Sequence, residues 1–163
     1  MATSEIIVPF VESVESLCRT MLGCERVERK RVSLAVPDTH GRELTAFIGL
    51  SGPDRGTIAL VLPERTALNI ASAFLGMEFD TLNEDVTDSV AEVVNIIGGG
   101  AKVNLPKADD ELFQLGLPTV VQGHDYAITS PAESVWLDIP FETDLGPFTV
   151  RVSFESMKKK QHN

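Results

Sequence analysis

Two side chains with complementary polar chemistry, Glu92 and Asn95, stand one helical turn apart in the stretch 85–102. A carboxylate offers only acceptors. A carboxamide accepts and donates without carrying charge. Advancing roughly 100° per residue puts Val86, Val90, Val93, Ile97 and Ala101 on one stripe, the expected core face. Asp88, Glu92, Asn95, Gly99 and Lys102 then fall on the opposite stripe. An acid and an amide beside a residue with no side chain make a flat, polar, approachable surface. Such a surface suits a partner protein better than a small-molecule cleft.

Other chemistries find little support. Ser51-Gly52-Pro53-Asp54-Arg55-Gly56 has two glycines but no Lys-Ser/Thr pair, and no GxGxxG follows a strand. His40, His124 and His162 are scattered over a turn, a strand start and the tail, without metal spacing. Asp109, Asp110 and Glu111 read as a solvated loop. Cys18 and Cys24 make neither a disulfide framework nor a zinc site, and Cys18 continues an apolar stripe as a core thiol. Gly98-Gly99-Gly100 lies inside a helical pattern, where each glycine costs about 1 kcal/mol relative to alanine. Two readings of the triplet stand side by side. Gly98 or Gly100 packs closely against a neighbouring element, or Gly99 clears the polar face for a partner.

Composition narrows the partners. The chain has 163 residues, 43% of them hydrophobic, enough for one domain with a sizeable core. A net charge of −10 argues against nucleic acid and against anionic membranes, and is compatible with a partner bearing a basic patch. Glu5 and Glu12 interrupt any signal-like apolar run, and no stretch approaches the roughly 20 apolar residues of a membrane span. A reducing, cytoplasmic compartment is expected.

The elements that must hold Glu92 and Asn95 follow from periodicity. Residues 4–22 read as a helix, capped by Ser4 and ended by Gly23, with Pro9 raising the alternative of a start nearer residue 8. Strands are expected at 26–36, 44–50 and 57–62, the last central because it alternates least. Pro63 opens a helix over 63–75 with Leu68, Ala71, Phe74 and Leu75 inside and Gly76 at its end. The long helix runs over 84–105 and Pro106 stops it. A polar loop at 107–111 leads to strand candidates at 118–122, 124–130, 133–142 and 147–156, the last two joined by a hairpin turn at Asp144-Leu145-Gly146-Pro147. The fold class is α+β, a mainly antiparallel sheet with helices packed on it. Residues 1–156 make one domain, and 157–163 a basic tail that reads as disordered.

Several blocks in this order resemble the CheX proteins of bacterial chemotaxis: Pro9-Phe10-Val11-Glu12, Ile48-Gly49-Leu50-Ser51-Gly52, Gly56-Thr57-Ile58-Ala59-Leu60, Ala67-Leu68-Asn69-Ile70-Ala71, and Leu117-Pro118-Thr119-Val120-Val121-Gln122-Gly123. The decisive block is Asp88-x-x-x-Glu92-x-x-Asn95-Ile96-Ile97-x-Gly99-x-Ala101-Lys102, which resembles the D/S-x-x-x-E-x-x-N signature of the CheC/CheX/FliY phosphatases. The resemblance spans about residues 8–154. It implies a phosphatase acting on the phosphorylated response regulator CheY, with one E-x-x-N site per chain and a homodimeric state. CheC members carry two sites, whereas the first helix here has Glu12 and Glu15 but no matching asparagine, which favours CheX. Relatives often read Ala-Gly-Asn where this chain reads Gly98-Gly99-Gly100, and Gly100 projects to the side of the helix.

The resemblance implies roles as well. An aspartyl phosphate is labile, and the receiver domain supplies its own Mg²⁺, lysine and phosphate site, so this chain needs no cofactor or metal ligand of its own. What remains is to hold a water in line with phosphorus. Asn95 suits that task, because a carboxylate there would repel the phosphoryl oxygens. Glu92 would pair with the receiver lysine, while Asp88, Gly99 and Lys102 are candidate partner contacts. The alternative is a non-catalytic module that binds a phosphorylated receiver or resembles a flagellar-switch component.

Overall fold

The computed structural model describes residues 2–35, 44–123 and 135–157. The first helix, α1, spans Thr3–Thr20 and contains Pro9 in its interior. Proline cannot donate to the carbonyl four residues back, which was the reason to consider a start near residue 8. The helix nevertheless begins before it. Ile6 and Phe10 on either side of Pro9 are fully buried, and Ala2, not Ser4, is the cap, with the Glu5 carboxylate accepting from the Ala2 N–H at 3.2 Å. At the other end Gly23, at φ 70°, turns the chain so that the Cys24 N–H donates to the Cys18 carbonyl at 2.9 Å.

The expected strand at 26–36 is two short ones, β1 (Val27–Arg29) and β2 (Ser33–Ala35). Both pair with β7 (Trp136–Thr143). Between the pairs Arg29/Phe141 and Ser33/Asp138 the edge advances four residues (29 to 33) while β7 advances three (141 to 138). This extra residue is a bulge next to Pro140, which has no N–H for the ladder. The Pro140 carbonyl still accepts from the Lys30 N–H at 2.8 Å.

Strands β3 (Leu44–Ser51) and β4 (Gly56–Leu62) form the next hairpin. A two-residue strand β5 (Gln114–Leu115), absent from the sequence expectation, and β6 (Thr119–Gln122) both pair with the outer edge of β3. With β8 (Gly146–Phe154), the order is β1-β7-β8-β4-β3-β5, with β2 and β6 continuing the two edges, and every described pair is antiparallel. β4 is central, as its apolar run implies. The expected strand at 124–130, the three histidines and residues 158–163 of the tail lie outside the described residues.

Helices α2 (Glu64–Leu75) and α3 (Glu84–Lys102) join α1 on one face of this sheet. Gly76, left-handed at φ 69°, ends α2. Its inner face stops at the half-buried Phe74, because Leu75, the last helical residue, is 44% exposed. Alternate residues of the strands, such as Ile48, Leu60, Val150 and Ile139, meet the helices in one core with Val86, Val90, Val93, Ile97 and Ala101 of α3. Each such valine or isoleucine contributes about 1.5–3 kcal/mol by burial. α3 ends at Lys102 rather than 105, where the Asn104 N–H tightens back onto the Ala101 carbonyl at 3.0 Å and Leu105 tucks into the core. On the far face of the sheet, Arg151 is buried opposite Asp138, Nε to Oδ1 2.6 Å, with its guanidinium 5.5 Å from the centre of the Trp136 ring.

Candidate active site on the outer face of α3

Local sequence fixes where α3 begins and therefore which residues face outward. The Asn83 side chain accepts from the Val86 N–H at 3.0 Å, and Glu84 and Asp85 stand in the first turn, where the helix dipole favours negative charge. The Ser89 hydroxyl is turned back onto the Asp85 carbonyl at 2.8 Å and buried. Its polar side chain therefore leaves no mark on the surface. The five core-stripe residues are all at most 2% exposed.

The opposite stripe emerges as the sequence implies. Asp88 and Glu92 are exposed, and Asn95, Gly99 and Lys102 are half-buried. Three residues of helix separate Glu92 from Asn95 by about 4.5 Å of rise. Among the described residues no side-chain hydrogen bond or ion pair engages Asp88, Glu92, Asn95 or Lys102. A half-buried amide with no internal partner keeps its donors and its acceptor available for an external one. No three His, Cys, Asp or Glu side chains among the described residues converge to hold a metal ion.

The glycine triplet serves three directions at once. A Cβ at Gly98 would come within 3.1 Å of Leu115 and 3.2 Å of Ile58, so this glycine lets α3 settle against β4 and β5. A Cβ at Gly100 would come within 2.4 Å of the Ser13 hydroxyl, so this one lets α1 approach. Both close contacts are therefore real, and Gly100 does face sideways. Gly99, between them, points outward with Leu115 no nearer than 4.0 Å, and leaves the ridge beside Asn95 low. Ser13 completes the contact by donating to the Ile97 carbonyl at 2.8 Å. Nothing in its neighbourhood singled out Ser13 from sequence. A serine on the α1 face that meets a glycine on another helix is visible only once the two helices are paired.

Cys18 and Cys24 lie away from this ridge, at the end of α1. Both are buried free thiols. Burial, reinforced by the neighbouring Cys24, pushes the Cys18 thiol up to about 12, and burial raises Cys24 as well. Neither is a thiolate at neutral pH, which agrees with a core role.

The chain is an α+β domain of helices on an antiparallel sheet that displays an acid–amide pair on an outward helix. Its family is given by comparison. Residues 44–142 match the family model of the chemotaxis phosphatase CheX. The chain belongs to that family, and is a phosphatase, a hydrolase by class. It is similar to the CheY-P phosphatase CheX of Thermotoga maritima, 28% identical over 129 residues that cover 78% of this chain and 81% of the relative. The crystal structure of the chemotaxis protein CheX from Desulfovibrio desulfuricans superposes with a TM-score of 0.81 at 29% identity, covering 93% of this chain and 99% of that one. A CheX–CheY–BeF3–Mg²⁺ complex from Borrelia burgdorferi contains a chain that matches with a TM-score of 0.78 at 26% identity, covering 91% and 97%.

Proposed function

We propose that this chain hydrolyses the aspartyl phosphate of a CheY-like receiver domain, with α3 docked over the phosphorylated site. The single observation that carries the reading is the outward pair Glu92 and Asn95, without a side-chain partner among the described residues, on a helix of a CheX-family fold. A relative bearing the name CheY-P phosphatase and a CheX–CheY complex among the similar structures support the partner.

In this reading the Asn95 carboxamide oxygen accepts from a water and orients it in line with phosphorus. The water oxygen bonds to phosphorus as the bond to the aspartyl oxygen breaks, which releases inorganic phosphate and a free carboxylate on the receiver. The amide stays neutral throughout, so it does not repel the phosphoryl oxygens. Glu92 pairs with a lysine of the receiver and fixes the register of the helix, while Asp88, Gly99 and Lys102 line the contact. Rigid presentation from one helix matters because small misplacements cost rate. The Mg²⁺ belongs to the receiver's site, and no residue of this chain is assigned to it. The chain acts in the cytoplasm as a homodimer, a state supported by the family resemblance and by the need to cover sheet edges.

The test is turnover. A phosphorylated receiver mixed with a tenth of its amount of this protein should be fully dephosphorylated, at about that ratio or lower. Phosphate release that stops at one equivalent, or slowed loss of phosphate, would instead identify a module that only sequesters the receiver.

A further inference from the structure

Beside the Glu92–Asn95 ridge runs a groove of about 270 Å³ between α1 and α3. Ser13 and Gly100 form its floor, and Glu12, Ser16, Met21 and Ile96 stand around it. Gly100 is the reason the two helices meet so closely at its floor. Any side chain there would run into the Ser13 hydroxyl, 2.4 Å from where its Cβ would stand. The Ser13 hydroxyl is in turn spoken for by the Ile97 carbonyl. The walls are mixed in a particular way. Met21 is 48% exposed and Ile96 half-buried, so apolar surface faces the opening. Glu12, exposed, is the single ionisable group among the lining residues, and among the described residues it has no ion pair.

We propose that this groove receives a lysine or arginine side chain of the same receiver domain, one distinct from the lysine that Glu92 meets. The inference rests on the reading that the ridge docks a receiver. The groove lies beside that ridge, since Ile96 on its wall stands one helical turn, i to i+4, from Glu92. A long cationic side chain is amphipathic. Its aliphatic stem matches Met21 and Ile96 while its head reaches Glu12. A small polar side chain would leave the apolar wall wet, and a purely apolar one would leave Glu12 unmatched. The net charge of −10 favours a cationic visitor in the same sense. Glu12 is thereby a binding residue that sets which receivers are accepted, and it takes no part in the chemistry.

Two variants test this on exposed positions of α1 that the hydrolytic step does not use: Glu12→Lys, which reverses the charge, and Ser16→Phe, which fills the groove. With a phosphorylated receiver as substrate, both should raise KM about tenfold and leave kcat within about twofold, because interactions made equally in ground and transition states act on KM. The Glu12→Lys effect should shrink as ionic strength rises and the Ser16→Phe effect should not. Melting curves of both variants should match wild type. If wild type turns over the receiver and either folded variant leaves KM unchanged, the groove assignment is overturned while the Asn95 assignment stands. If kcat falls with KM unchanged, the groove acts on chemistry and the assignment is equally overturned. A change of oligomeric state by light scattering in either variant would give the groove to a second copy of this chain, against the proposal. If wild type shows no turnover, it is the underlying function that fails.

Discussion

α1 and α3 lie side by side on the same sheet, bury similar apolar stripes, and carry an acid at the first position of an i, i+3 pair. On α3 the pair is Glu92 and Asn95, and on α1 it is Glu12 and Glu15. The backbone, the burial and the leading glutamate are shared, so the fourth position separates them. A second carboxylate would stand against phosphoryl oxygens, whereas an amide can hold water there at no electrostatic cost. On the proposed reading, it is the neutrality of one side chain, more than the overall shape of the helix face, that suits α3 and not α1 to hold the attacking water. The far face of the sheet makes the same point from the other side. There Arg151 and Asp138 are paired at 2.6 Å, so their charges are matched within the protein.

The sharpest way to break the comparison is to give α3 the charge pattern of α1. Asn95→Asp keeps shape and adds one negative charge, and should lower kcat by about 100-fold or more, a loss of the size that misplacement at a reacting centre produces. Phosphate release under saturating receiver checks it. Next in size is Glu92→Gln, which leaves the receiver lysine without its charge partner. Where solvent is excluded, the loss is several kcal/mol, so the dissociation constant for a receiver carrying a stable phosphoryl mimic should rise at least about tenfold. A double-mutant cycle with the receiver Lys→Ala measures the coupling directly.

The glycines sharpen the geometry of the same two helices. Gly99→Ala meets only Leu115, at an ordinary van der Waals distance of 4.0 Å, and gains helix propensity, so stability should rise by up to about 1 kcal/mol. Activity should fall, because the added methyl lies on the docking ridge. Gly100→Ala drives a methyl into Ser13 and should lose about 1–3 kcal/mol, as overpacking does. Denaturant midpoints of the two variants should therefore move in opposite directions.

The smallest effect at neutral pH concerns the end of α1. Burial raises the Cys18 thiol from 9.0 to about 12 in the folded protein. The unfolded chain therefore loses this proton first as pH rises. The stabilisation is fully present below pH 9 and is lost progressively from pH 9 toward about 12. Cys18→Ala should flatten that alkaline slope in a series of urea midpoints, without touching phosphatase activity at pH 7.

Much of this was legible before any coordinates. The core stripe of α3 has a strict helical period, so Val86 to Ala101 and the opposite stripe with Glu92 and Asn95 followed from spacing alone. Their assignment to chemistry did not follow from spacing, since an exposed acid and amide one turn apart are ordinary. It came from the order of surrounding blocks. What stayed hidden depends on long-range pairing. The break between β1 and β2 is set by Pro140, over a hundred residues away. β5 is two residues long and has no period to read. The contact of Ser13 with Ile97 spans 84 residues of sequence. The start of α1 was legible within a residue, and only the alternative start near residue 8 failed, because the burial of Ile6 overrides the local rule of proline as helix breaker.

The central claim is that Asn95 serves the hydrolytic step and not docking. Asn95→Ala measured in two assays on one receiver tests it most directly: affinity for the beryllofluoride-loaded form, and rate of phosphate release from the phosphorylated form. Substitution at this outward position should change stability by less than about 0.5 kcal/mol. The account predicts affinity within about threefold of wild type, under 1 kcal/mol, together with hydrolysis reduced to the receiver's own spontaneous rate. Hydrolysis at the wild-type rate, or loss of binding in proportion to the loss of hydrolysis, would contradict it.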